Sequence, residues 1–80
     1  MNDNQMKVAE IFKEVLECGS VSLDDEFLQL GGDSMSAMLC ISRIRAQFKV
    51  ELSVEDFFTD VTTIRSISLL IDELNAKPAS

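Results

Sequence analysis

The stretch LQLGGDSMSAM, Leu28 to Met38, places two glycines, an acid and a serine directly ahead of a run with helical spacing. Ser34 has three readings here: catalyst, helix cap or chemical handle. A serine hydroxyl is a poor nucleophile unless a base takes its proton. The chain of 80 residues contains no histidine. No motif ties Lys13 or Lys49 to Ser34, and the nucleophile-elbow pattern GxSxG is absent. A Gly-Asp-Ser ahead of an apolar residue is a weak sign of a nucleophile, and a helical chain of this size leaves little room for a pocket and an oxyanion hole. The cap reading is stronger. Gly31 and Gly32 tolerate positive φ and a sharp turn. Asp33 or Ser34 then caps the helix, and Asp33 complements the positive end of its dipole.

Working outward, Met35 to Phe48 reads as a helix. At about 100° per residue, Ala37, Ile41, Ile44 and Phe48 fall on one narrow stripe, flanked by Met38 and Cys40. The opposite side carries Met35, Leu39, Ser42 and Ala46, so an apolar pair lies beside the serine. Singly exposed apolar residues are ordinary. An adaptable methionine next to a presented hydroxyl nevertheless suits docking to several partners. Upstream, Gly19 to Asp33 is a long connection whose Val21, Leu23, Phe27, Leu28 and Leu30 are expected to pack it onto the core.

Before that loop, Val8, Ile11, Phe12, Val15 and Leu16 define one face of a first helix, with possible caps in Asn2 to Gln5 and an end marked by Gly19. After the second helix, Lys49 to Leu52 reads as a short extended link. Ser53 to Phe58, with its serine cap and early acids, reads as a short third helix or helical turn. Thr62 and Thr63 are cap candidates for a last helix built on Ile64, Ile67, Leu70, Ile71 and Leu74. Pro78 blocks continuation into the tail. The expected fold is all-α: a four-helix bundle with a short third helix and a long loop between helices 1 and 2. Residues 1–5 are expected to be a flexible N-terminus, 6–75 the domain, and 76–80 a tail or linker.

Composition narrows the function classes. One small domain of this length buries roughly 60–65% of the surface its unfolded chain exposes. Hydrophobic residues make up 46% of the chain, which argues against disorder throughout. The net charge of -7 argues against nucleic acid and against an anionic membrane surface; it suits either a partner with a basic patch or the plain role of keeping the domain in solution. Cys18 and Cys40 are the only cysteines; without histidine or a CxxC pair no metal site is expected. Cys40, inside a helix, reads as a buried thiol. With no secretory pattern and no membrane-length apolar run, the chain is expected in the cytoplasm as a monomer.

Taken together these residues resemble the acyl and peptidyl carrier protein superfamily, over about Val8 to Leu74. The "D-x-F-x-x-L-G-G-D-S" core corresponds to Asp25, Phe27, Leu30, Gly31, Gly32, Asp33 and Ser34. An amphipathic helix with Arg43 and Arg45, then "F-x-V-E-L" and a double-aromatic short helix follow in order. The resemblance implies that a separate phosphopantetheinyl transferase, using coenzyme A and magnesium, attaches 4′-phosphopantetheine to Ser34, beside Gly31, Gly32 and Asp33. The arm's thiol would then hold an aminoacyl, peptidyl or acyl group as a thioester, and the carrier itself would be non-catalytic. Implied partners are an adenylation or acyl-loading enzyme and condensation, ketosynthase or thioesterase domains, docking on Met35, Leu39, Arg43 and Phe57 or Phe58, of which one is expected in the core. The double glycine resembles peptidyl carriers of nonribosomal peptide synthesis. Alternatives are an acyl carrier of a polyketide or fatty-acid pathway, and a helical interaction domain in which Ser34 is only a cap. Thr62-Thr63 departs from the Pro-Thr usual in peptidyl carriers, and "TDVTT" is one residue longer, which leaves the start of the last helix open.

Overall fold

The chain builds its first helix from its own side chains. Asn2 Oδ1 accepts the Gln5 N–H at 2.8 Å while Gln5 Oε1 accepts the Asn2 N–H at 3.0 Å, satisfying two otherwise orphaned amides. The computed structural model describes residues 2–58 and 62–76. The first helix, α1, spans Asp3–Leu16, so it begins inside the segment 1–5 that the pattern sets outside the domain. It ends earlier than Gly19 suggests, because Glu17 adopts the left-handed conformation at φ 53°.

The second helix, α2, spans Ser34–Phe48 and stops where Lys49 turns left-handed at φ 60°, its N–H donating to the Arg45 carbonyl. A third helix, α3, spans Ile64–Ala76. Between α2 and α3 the chain makes one turn of 3-10 helix, Val54–Phe57. The described residues hold three α-helices, and the short third member, read from the pattern as a short helix or helical turn, is a single 3-10 turn. Its bonds run from the Asp56 N–H to the Ser53 carbonyl and from the Phe58 N–H to the Glu55 carbonyl, both 3.0 Å. A four-residue segment can close such i→i+3 bonds without sustaining an α-helical ladder.

Of the two threonines open as caps, Thr63 takes the role. Its Oγ1 accepts the Ser66 N–H at 3.1 Å, and the Ser66 hydroxyl accepts the Thr63 N–H at 2.9 Å. Thr62 is buried and donates its hydroxyl to the Phe57 carbonyl at 2.7 Å. The added residue in "TDVTT" falls on 59–61, and the expected tail and Pro78 on 77–80; both lie outside the described residues.

One core unites these parts, with α1 packed against both α2 and α3 and the 3-10 turn against α2. Val8, Ile11 and Phe12 of α1 meet Ala37, Cys40, Ile41, Ile44 and Phe48 of α2 and Ile64, Ile67 and Ile71 of α3. Phe27, in the connection between α1 and α2, is fully buried among them, while Val21, Leu23 and Leu30 pack partly against the core. Leu28 does not: it is exposed. Across α1 and α2, Arg43 reaches Glu14 at 2.7 Å. No helix among the described residues is long and apolar enough to cross a membrane.

Candidate functional site

The approach to Ser34 is stitched to the start of α3. The Leu23 carbonyl accepts the Arg65 N–H at 3.1 Å, and the Phe27 N–H donates to the Thr62 carbonyl at 2.7 Å. Arg65 also grips Asp24 through Nε at 3.0 Å and an Nη at 3.4 Å. That guanidinium, by hydrogen bond first and charge second, holds the Asp24 carboxyl below its usual range. Asp25 closes a local turn by accepting the Ser22 N–H at 2.9 Å. An acid-rich stretch that could have waved in solvent is thereby tied at both backbone and side chain.

From Glu26 the chain coils tightly toward α2. The Leu30 N–H donates to the Glu26 carbonyl at 3.0 Å, Gly31 to Leu28 at 3.2 Å, and Gly32 to Phe27 at 3.0 Å. Gly31 occupies φ +96°, a conformation costly for any residue with a Cβ. Gly32 is needed for a different reason: its backbone rests against the Phe27 ring, where a Cβ would collide.

The turn delivers Asp33 in extended conformation as the N-cap of α2. Its Oδ1 accepts the Ser36 N–H at 2.9 Å. That backbone bond, reinforced by the Ser36 side chain and the Met35 N–H, holds the Asp33 carboxyl below its ordinary value. Ser34 is the first residue of α2 and is exposed. The cap is thus Asp33, and the Ser34 hydroxyl is not spent on it.

Met35, beside the serine, is 76% exposed, and Leu39, one turn on, is 54% exposed. The structure adds Met38, 61% exposed, which the stripe alone puts at the edge of the core. The signal is the angle: Met38 lies about 100° from Ala37, whereas Cys40, on the other flank, lies only about 60° away and is buried. A groove of about 360 Å³ runs from Met38, Ile41 and Arg45 of α2 to Leu52 and Val54. The two phenylalanines separate: Phe57 is fully buried and Phe58 is partly exposed. Phe57 is therefore corrected from a docking residue to a core one, its ring packed against Phe27 at 5.1 Å between centroids. Arg43 remains exposed at the surface but is paired with Glu14.

Cys40 is buried, and desolvation pushes its thiol up to about 12, against a weaker opposing pull from the Arg43 charge. Among the described residues no cluster of three or more histidine, cysteine or acidic side chains could hold a metal ion.

The chain matches a family model described as "Phosphopantetheine attachment site" over residues 7–71. It is 33% identical over 69 residues to one of the plipastatin synthase proteins of Bacillus subtilis (strain 168), covering 86% of this chain and 2% of that protein. It is 37% identical over 70 residues to gramicidin S synthase 2 of Brevibacillus brevis, covering 88% of this chain and 2% of that protein. The chain thus spans about one-fiftieth of the length of these relatives. A chain in the structure of the phosphopantetheine transferase Sfp in complex with coenzyme A and a peptidyl carrier protein superposes with a TM-score of 0.87 at 27% identity, covering 91% of this chain and 94% of that chain.

Proposed function

We propose, since the chain belongs to the phosphopantetheine attachment family, that Ser34 is the residue that accepts the 4′-phosphopantetheine arm. The observation that carries this reading is the division of labour at the start of α2. Asp33 supplies the cap, and the neighbouring exposed serine keeps its hydroxyl free for a bond to phosphorus. A phosphodiester there would stand at a helix N-terminus, where the dipole and the first amides favour negative charge. The three residues that lead into it are two glycines and an aspartate, and Ser34 itself is exposed. When bound, the arm supplies a thiol that can hold an acyl group as a thioester. This chain's own residues present the attachment point and the surface around it.

The relatives being synthases of plipastatin and gramicidin S supports a peptidyl carrier over a fatty-acid or polyketide one. The domain would act without catalysis of its own, loaded by an adenylation or acyl-loading enzyme and visited by condensation, ketosynthase or thioesterase partners. Met35, next to the serine in the chain, and Leu39, one turn on, are exposed apolar side chains of α2 that such partners would meet, with the exposed Arg43 and Phe58 as further docking candidates. Effective concentration at each partner's active site would then be set by docking and by the tether.

The experiment is a pair of variants incubated with coenzyme A, magnesium and a broad-specificity phosphopantetheinyl transferase. Ser34→Ala should lose modification and keep its helical circular dichroism. Ser36→Ala should still be modified, since its hydroxyl plays no part in attachment. Modification of the Ser34→Ala variant would overturn the assignment.

A further inference from the structure

Gly32 has no room for a side chain. A Cβ there would collide with the Phe27 ring at Cε2, Cδ2 and Cζ, whereas one on Gly31 or Gly19 would meet nothing within 4 Å. The ring cannot easily move aside. Phe12 and Phe57 meet it edge-on, with centroids at 5.5 and 5.1 Å, and Phe58 lies at 6.4 Å. Its backbone is held as well, the N–H by the Thr62 carbonyl at 2.7 Å and the carbonyl by the Gly32 N–H at 3.0 Å. One residue therefore grips Gly32 twice, by ring and by hydrogen bond, and Gly32 leads directly into Asp33 and Ser34. The height of the serine at the start of α2 is referenced to the aromatic centre of the molecule, not to the exposed side chains of the loop.

We propose that Phe27 and Gly32 form a packing pair that positions Ser34 for group transfer, an inference that rests on Ser34 being the attachment residue. Both are positioning residues, since neither reaches the reacting hydroxyl. The pairing is reciprocal. Gly32→Ala forces a methyl into the ring and displaces the turn. Phe27→Leu leaves a gap under Gly32 that lets the turn sink. Combining them puts the methyl into the gap and restores the contact.

Two readouts test this on the full chain. The first is hydrogen exchange of the Ser36 amide, which reports the Asp33 cap and needs no transferase. The second is steady-state modification by a phosphopantetheinyl transferase. Each single variant should raise Ser36 exchange about tenfold while the Ile44 amide stays protected. Each should lower kcat about tenfold with KM within about threefold, because Met35 and Leu39, the docking side chains on α2, are retained. The double variant should return both readouts to within about threefold of the native chain, a coupling expected only of residues in contact. Native Ser36 exchange in Gly32→Ala, a double variant no better than the singles, or an opened cap with native kcat would each overturn the pair. Should Gly32→Ala not fold, Phe27→Leu carries both readouts alone, and native values there overturn it equally. A native chain that takes no arm would remove the Ser34 reading and with it the positioning role, while Ser36 exchange would still tell whether the pair holds the cap.

Discussion

Asp33 Oδ1 accepts the Ser36 N–H at 2.9 Å, closing a cap that spans Ser34 in the chain without using its hydroxyl. Two residues that could each cap a helix stand side by side, and the geometry gives the structural duty to the acid and leaves the alcohol exposed. The connection from Leu23 to Gly32 makes that choice reproducible. It is anchored to Thr62 and Arg65 at the start of α3 and to the Phe27 ring in the core.

The cap carries a pH signature. The Ser36 amide holds the folded Asp33 carboxyl below its ordinary 3.8. A group whose folded value is depressed contributes stability above its unfolded value and loses it as pH falls through the folded one. The Ser36 amide should therefore stay protected at neutral pH and open only in acid below 3.8. Asp33→Asn should keep the cap and abolish this dependence, since asparagine caps without titrating there. Ser36 amide shifts followed by NMR across acid pH check both outcomes; an identical titration in Asp33→Asn would assign it to another group.

The exposed apolar surface and the core should respond oppositely to substitution. Met35→Glu and Leu39→Glu should change stability by no more than about 0.5 kcal/mol, as exposed sites do, while slowing transfer to partner enzymes. Phe57→Ala, one residue from the partly exposed Phe58, should cost about 3–5 kcal/mol because it empties the aromatic centre. Denaturant melts combined with single-turnover transfer assays separate the two effects. A large stability loss in Met35→Glu would mean that this side chain is packed, not presented.

How much of this is legible in the sequence depends on the range of the interaction involved. The stripes Val8-Ile11-Phe12 and Ala37-Ile41-Ile44-Phe48 are local, and periodicity alone places them inside. Phe57 and Phe58 are adjacent and chemically identical, so contacts with residues far away in the chain, Phe12 and Phe27 among them, decide which is buried. The glycines show the same limit. Both read as turn residues, yet only Gly31 has positive φ, and the need for Gly32 lies in a ring that spacing does not reveal. The pairing of Arg43 with Glu14 is not visible on a helical wheel, because the two belong to different helices. The exposure of Met38 is readable, since its angle from the stripe is wider than that of Cys40.

The two cysteines should differ in reactivity. Burial pushes the Cys40 thiol up to about 12, so it stays protonated and shielded in the folded chain. Cys18 is only half-buried. Brief alkylation of the unmodified chain at mildly alkaline pH should add one group, at Cys18, and denaturant should release the second. Mass spectrometry with fragmentation reads this directly, and equal labelling of both cysteines in the folded chain would contradict the packing of α2.

The most direct test of the central claim is the intact mass of the folded chain after coenzyme A, magnesium and a broad-specificity phosphopantetheinyl transferase have acted on it, with fragmentation to locate the adduct. The account predicts a gain of one phosphopantetheine, carried on Ser34. An adduct on Ser36 or any other serine, or no gain from a chain shown to be folded and unmodified at the start, would contradict it and return Ser34 to an ordinary first residue of a helix.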